Sequence, residues 1–550
     1  MISKDPGATK GLFDVITGGE ALSYFNRIYL FLFLPIVILI YKLTPKRFRY
    51  IILIIASFVC FFMMSNKLIV FLILSILSIY LCGRLMNKKD KKRDEILEKC
   101  KKTEKKPIKE KYKKKKKRIL ILTILFNVAF LFYFKYLNFF AGNANIVLKW
   151  LNIKYSFQIL HHLAPIGISF YTLEALSYII DVYNGKIKAE TNLLKVTLFL
   201  SFFPQIMEGP IARYSDTAED LYAGHKVTYK NFCFGYQRIL YGLFKKLVIA
   251  DRLNILVKII FNEYMNYSGF SVMLGVIGYT VMLYTEFSGT MDIVIGSGEI
   301  FGIRIPENFR QPFFSKNISE FWTRWHISLG LWFKDYIFYP VSLSKPMRSL
   351  TVKARKKLGN HFGPLISGTI ALFTVWFLNG LWHGAGWTFL FFGMYHFFMI
   401  LMGNIFEPLI IKICSVLHIN RKNIFYRVFQ TVKMTILVFI GELFFRAPSM
   451  KVAFEMLNRM FTKISFRAVK NGELLSLGMD IYDYIVLILA IVFIFVIGIL
   501  KEKGKNIRED VSNKNIFLRW MLYYAFIVII IVFGAYGIGY EPVEPIYADF

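Results

Sequence analysis

Two histidines stand in tryptophan-flanked settings where an imidazole could do acid–base work: Trp325-His326-Ile327-Ser328 and Asn379-Gly380-Leu381-Trp382-His383-Gly384. Imidazole, with an ordinary pKa of about 6.5, can accept and return a proton near neutrality. Both motifs lie among apolar runs. An ionisable group at bilayer depth costs roughly 2.5–3.5 kcal/mol on insertion scales, so it usually carries a function or a buried partner. Two such imidazoles in one cleft point to proton transfer rather than to lipid-facing packing.

The elements that must position them are membrane helices. Of 550 residues, 56% are hydrophobic and 17% aromatic, and the mean hydropathy is +0.47. That composition excludes a soluble globule of this length. Span-like runs are Tyr29–Leu43, Tyr50–Met64, Leu68–Cys82, Ile119–Phe140, Ile166–Val182, Leu193–Met207, Phe232–Ile249 and Phe270–Thr285. They continue with Leu365–Leu378, Thr388–Met402, Val428–Phe445, Tyr484–Leu500 and Leu518–Gly537. Several are short or interrupted by Gly and Pro and read as re-entrant or interfacial. The expectation is an all-α polytopic membrane protein of roughly eleven crossings, one domain over residues 1–550. The polar start, with Lys4, Asp5, Asp14 and Glu20, has no cleavable-signal pattern. The five cysteines are scattered, so neither a metal site nor a disulfide framework is expected.

Charge orients the chain. Between Arg84 and Arg118 stand 19 Lys/Arg against 6 Asp/Glu. Between apolar spans, such a run reads as a cytoplasmic loop at residues 84–118 rather than as a nucleic-acid site. It could also hold anionic lipid or dock an acidic cytoplasmic carrier or phosphorylated donor. Lys42, Lys46, Arg47 and Arg49 then lie inside as well, and the N-terminus lies outside. The basic stretch from Arg446 to Lys470 reads as interfacial, its side undetermined. No internal repeat or inverted pair of broken helices is present, which weakens a transporter reading.

The segment Asn317–Tyr339, read as one helix, puts Trp322, Trp325, Leu329, Trp332 and Tyr336 on one stripe and His326 on an adjoining face. The competing reading is an interfacial aromatic anchor with an incidental histidine. In Phe373–Trp387, glycines around His383 permit close backbone approach and a helix break at membrane depth, tolerable only where the backbone is buried or lines a cavity. A structural histidine bonded to a carbonyl is the alternative there. His396 reads as helix packing. Glu208 and Arg213, around Gly209-Pro210, read as a structural pair at a turn.

Together these motifs resemble the membrane-bound O-acyltransferase (MBOAT) family, in its bacterial alginate O-acetyltransferase-like and teichoic-acid D-alanyltransferase-like branch. The resemblance also runs through Leu30–Pro35, Ile168–Gly185, Ser201–Tyr214, Gly242–Leu253, Phe287–Phe314, Glu320–Tyr339, Leu378–His396, Glu442–Ala447 and the final Ile546-Tyr547. Glu174, Glu286, Lys334 and the closing PIYADF depart from the family's usual residues. The resemblance implies a ring of helices around a tunnel joining a cytoplasmic donor to an extracytoplasmic acceptor. It implies His383 as catalytic base, or as transient acyl acceptor, with His326 as its essential companion. Asn379, Trp382 and Trp325 would support them, and Asp335 would be a candidate partner for an imidazole. Arg324 and Lys334 would meet the donor's phosphates or simply pair with neighbouring charges. No bound cofactor is implied. The co-substrate would be an acyl thioester, acetyl-CoA or an acylated carrier protein. The acceptor would be an envelope glycan, with an extracytoplasmic SGNH-hydrolase-like partner, in the plasma membrane of a bacterium. Acetyl transfer is the first expectation and D-alanyl transfer to teichoic acid the second. A proton-coupled transporter or flippase, or a non-catalytic scaffold, would be the readings from other classes.

Overall fold

The computed structural model describes residues 23–160, 164–536 and 539–543. The polar start, His161, His162 and Ile546-Tyr547 lie outside the described residues. Regular structure among the described residues is helical, apart from one isolated β-bridge between Phe309 and Trp325. Among the described residues, eight segments are long and apolar enough to cross a membrane, and a shorter apolar helix covers Tyr29–Leu43. Their exposed surface is apolar: Phe517 is 86% and Phe425 81% exposed. Lipid, not water, is the solvent such surfaces suit. The chain is an all-α, multi-pass membrane protein.

Roughly eleven crossings were anticipated; two of the anticipated runs, Tyr50–Met64 and Leu68–Cys82, fall in one segment, Lys46–Lys99, and some short apolar runs end up inside the protein. Ile168–Asn184 is buried along nearly its whole length. Leu193–Met207 forms a helix only over Leu193–Ser201, and residues 202–213 continue as buried irregular chain. A second correction concerns the polybasic segment. It is not a loop: the helices Ile69–Lys99 and Lys105–Leu131 carry its charges, and only residues 100–104 turn between them. Lys and Glu are good helix formers, and the hairpin is tied by Lys116 Nζ to Asp90 Oδ2 at 2.7 Å. Asn127 Nδ2 donates to Ser78 Oγ at 2.9 Å further along the pair.

By its internal packing the chain falls into two compact units. The first holds Met1–Phe134, Leu160–Tyr236 and Ile293–Ile305, and the second Lys135–Ile159, Gln237–Asp292 and Pro306–Phe550. Within the first, the helix Ile168–Asn184 packs on both arms of the basic hairpin, and Arg49–Ser65 packs on Leu193–Ser201. Within the second, Lys345–His383 and Trp387–Val416 form an antiparallel pair against which Ile424–Arg446 packs. The first of these is broken at Gly359, whose φ of 75° no β-carbon-bearing residue adopts easily.

The helix Ile481–Glu502 is anchored at its start. Asp480 and Asp483 cap each other's backbone, at 2.8 and 3.1 Å. The Asp483 carboxylate also accepts from Arg252 and, at 2.6 Å, from the Tyr540 hydroxyl. Arg252 is 5% exposed, so Asp483→Ala would strand a buried guanidinium. The expected cost is about 3–5 kcal/mol, read as a lower unfolding temperature of the detergent-solubilised protein, and an unchanged transition would contradict the assignment.

Candidate active site

His383 is the last residue of the helix Lys345–His383, so the break lies after it, at Gly384–Gly386, rather than before it at Asn379-Gly380. Gly384 and Gly386 are extended, and the next helix begins at Trp387. A helix end leaves its last carbonyls without backbone partners, a serious cost where water is scarce. Here three of the last four are answered. Gly384 N–H donates to Gly380 O at 3.3 Å, Tyr136 Oη donates to Leu381 O at 3.0 Å, and Lys135 Nζ donates to Trp382 O. Lys135 and Tyr136 lie in a π-helical turn, Phe132–Tyr136. A buried ammonium at a helix C-terminus also complements the negative end of the helix dipole.

Gly380 does a different job. A β-carbon there would lie 2.6 Å from the Phe389 carbonyl oxygen, and one at Gly393 would lie 2.4 Å from the Trp376 carbonyl oxygen. The two helices therefore cross backbone to backbone just below His383. Its imidazole is 5% exposed. It meets Phe392 and Phe445 edge-on, with centroids 5.8 and 5.1 Å away. Phe445 belongs to the Glu442–Ala447 segment singled out in the sequence.

His326 is placed by another device. The expected single helix over Asn317–Tyr339 is interrupted: Ile318–Arg324 ends at Trp325, and Ile327–Phe333 starts after His326. His326 adopts the left-handed conformation (φ 46°, ψ 52°), unusual for a residue with a β-carbon. The segment around Asn308 holds it there. Arg310 N–H donates to Arg324 O at 2.9 Å, and Ile327 N–H donates to Asn308 O at 3.0 Å, on either side of the Phe309–Trp325 bridge. Asn308 Oδ1 accepts from the Ser328 N–H at 3.0 Å and the Ser328 hydroxyl at 2.9 Å, and lies 3.2 Å from His326 Nδ1. An atom that is already an acceptor for Ser328 requires the proton on Nδ1, which leaves Nε2 with the lone pair. The ring is buried among aromatic edges, Phe287 at 4.9 Å included.

Trp382 joins the two. Its ring centroid lies 5.6 Å from that of His326 and 5.0 Å from that of His383. Asn379 is buried one turn before His383, on the same helix face. Trp325 packs in the aromatic group under His326, stacked on Phe321 at 5.5 Å. Other expectations need correcting. The oxygen beside His326 belongs to Asn308, not to Asp335, because the helix break turns the chain toward that segment. Arg324 takes the second of its two expected roles, pairing with neighbouring charges, Glu320 at 2.8 Å and Glu502 at 2.6 Å. Lys334 is exposed and lies over the Tyr339 ring. His396 packs as expected, accepting from Trp322 Nε1 at 3.3 Å. Sequence reasoning missed Asn308, Lys135 and Tyr136. Lys135 was findable, as the one charged residue in the apolar run Ile119–Phe140. Asn308 gave no signal short of its contacts.

Residues 112–354, which include Asn308 and His326, match the model of the membrane-bound O-acyltransferase family. Over 471 residues the chain is 32% identical to the probable alginate O-acetylase AlgI of Pseudomonas aeruginosa, covering 84% of this chain and 80% of that one. The chain belongs to the MBOAT family. Another relative is the peptidoglycan O-acetyltransferase of Helicobacter pylori, 33% identical over 303 residues, 50% of this chain and 53% of that one. A third is the teichoic acid D-alanyltransferase of Bacillus subtilis, 32% identical over 245 residues, 44% of this chain and 59% of that one. As an MBOAT protein, the chain is a membrane O-acyltransferase.

The Gly380 crossing gives a direct check. Gly380→Ala forces the two helices apart at His383, an overpacking cost of about 1–3 kcal/mol. The expected result is a lower unfolding temperature together with reduced acyl transfer, and a variant equal to the parent in both would refute the close approach.

Proposed function

We propose that this O-acyltransferase moves a short acyl group, acetyl first, from a cytoplasmic thioester to a hydroxyl of a cell-envelope polysaccharide or of an extracytoplasmic relay partner. The observation that carries the reading is the pair of buried imidazoles against one indole, with the His326 tautomer set by Asn308. His383 acts as general base. It takes the proton of the acceptor hydroxyl as that oxygen attacks the thioester carbonyl. The new C–O bond forms, the C–S bond breaks, and the departing thiolate recovers the proton from the imidazolium. His326 offers Nε2 toward the reacting groups, to position the thioester or relay the proton. Asn379 Oδ1 is buried with no hydrogen-bond partner among the described residues, which suits it to accept from the imidazole or the incoming hydroxyl.

Relatives named for acetyl transfer to alginate and peptidoglycan cover more of the chain than the one named for D-alanyl transfer, which supports acetyl over D-alanyl. D-Alanyl transfer from a carrier protein to teichoic acid is the second reading, favoured by that last relative. The plasma membrane of a bacterium, with the basic hairpin inward and the N-terminus outward, fits the charge distribution.

Purified protein supplied with acetyl-CoA or a D-alanyl carrier, with thioester loss and acceptor labelling followed, tests the reading. His383→Ala should lose about 10²–10⁴-fold of the rate, the span that positioned base catalysis supplies. Undiminished turnover would overturn the assignment. Asn308→Leu should lower the rate by about 10²-fold at every pH, whereas Asn308→Asp, which keeps an acceptor but favours the imidazolium, should lose rate near neutrality and regain it as the pH is raised. Equal losses in the two would remove the tautomer argument.

A further inference from the structure

A cleft of about 560 Å³ opens within the first unit, between the two arms of the basic hairpin and the end of the helix Ile168–Asn184. Arg93 lines it from one arm and Lys109, Lys113 and Lys116 from the other, with Tyr183 and Asn184 at its side. The register of the hairpin brings these cations together. Lys116 pairs with Asp90, which sets Arg93 level with Lys113 across the two arms.

The carboxylates of the cleft are already taken. Asp90 binds Lys116 at 2.7 Å and Arg93 at 2.6 Å, and Asp94 binds Arg93 at 2.8 Å. Lys116 is buried and lies over the Tyr183 ring, which fixes the inner wall. Lys109 and Lys113 are exposed and form no ion pair among the described residues. They stand four residues apart, on one face of one helix, where like charges repel. An anion between them relieves that repulsion.

The depth of the cleft decides which anion. The apolar run of the second arm begins at Ile119, so Lys116 and Lys113 stand about 4.5 and 9 Å beyond it at 1.5 Å per residue. Headgroups occupy about 5–8 Å outside the hydrocarbon on each face, and a lysine stem spans the remainder. On the membrane side of the cleft the two arms carry exposed Leu85 and Leu122, a surface suited to acyl chains. The exposed Lys101 and Lys102 at the turn lie about 12 Å further out, past the headgroups. We propose that this cleft is a headgroup site for an anionic phospholipid. Lys109 and Lys113 hold the phosphodiester, with Arg93 and Lys116 fixed behind them. The Tyr183 hydroxyl and the Asn184 amide offer neutral donors to the rest of the headgroup. Binding stabilises the folded hairpin, since the unfolded arms offer no such cleft. The site stands apart from acyl transfer, so the two readings fail separately.

Full-length protein in phosphatidylcholine nanodiscs would be exchanged with phosphatidylglycerol and, separately, titrated with soluble glycerol phosphate. Native mass spectrometry reads retained lipid, and the unfolding temperature reads stabilisation. Phosphatidylglycerol should be retained at a discrete stoichiometry and raise the unfolding temperature, whereas glycerol phosphate should do neither. The Lys109→Gln/Lys113→Gln double variant, altered only in exposed side chains, should weaken retention by about tenfold or more. Lys101→Gln/Lys102→Gln removes the same charge from the turn and should leave retention within about twofold, because its cations lie beyond a Debye length from the cleft. Equal losses in the two variants would show diffuse attraction to the whole basic segment and overturn the site, as would no retention by the parent. Glycerol phosphate bound as tightly as the lipid would assign a soluble ester instead and overturn the proposal too.

Discussion

Within a bilayer, no backbone carbonyl can be left to water, and a helix that stops there must have its last carbonyls answered by protein. The position of His383 follows from that constraint. A break after residue 383 is affordable because Lys135 and Tyr136 reach the carbonyls of Trp382 and Leu381. The Lys135 ammonium is itself expensive to bury, and the carbonyl end of a helix is one of the few apolar-region sites that receives it well. Each element makes the other tolerable. Their product is an imidazole at a fixed helix end, with Trp382 held by its own backbone against both histidines.

The second histidine meets the same constraint by a different route. Splitting Asn317–Tyr339 at Trp325-His326 exposes backbone groups on both sides of the break, and residues 308–310 supply partners as an antiparallel bridge. The left-handed backbone of His326 costs on the order of 1–3 kcal/mol. Backbone bonds and the Asn308 amide offset it. One side chain does two things there: it closes the break through Ser328 and it orients the ring through Nδ1. The strain is thus stored at the residue whose ring direction it fixes.

How much of this was legible in the sequence depends on which interactions decide each feature. The all-helical membrane architecture could be read because apolar length is a local property, and the two histidines because charge in apolar runs is rare. The polybasic segment misled, since charge set its side of the membrane but helix propensity set its shape. The aromatic stripe over Asn317–Tyr339 misled for the opposite reason. Its periodicity favours a continuous helix, and only the tertiary bridge to Phe309 breaks it. Asp335 was chosen as a carboxylate near His326 in sequence, but the break swings His326 toward Asn308, a residue 18 positions away whose amide carries no charge to betray it.

A neutral amide is the better partner for the task. A carboxylate against Nδ1 would favour the charged imidazolium, whereas an amide oxygen fixes the tautomer and leaves the ring neutral, able to accept a proton. Apart from Lys135, which is held at the Trp382 carbonyl, several charges that the chain buries nearby are paired off. Arg324 is paired with Glu320 and Glu502, and Lys245 and Arg238 are paired with Asp292. Asn308 therefore stands at a border. On one side lies the ionic cluster of Lys245, Arg238 and Asp292, and on the other a pair of imidazoles among aromatic edges.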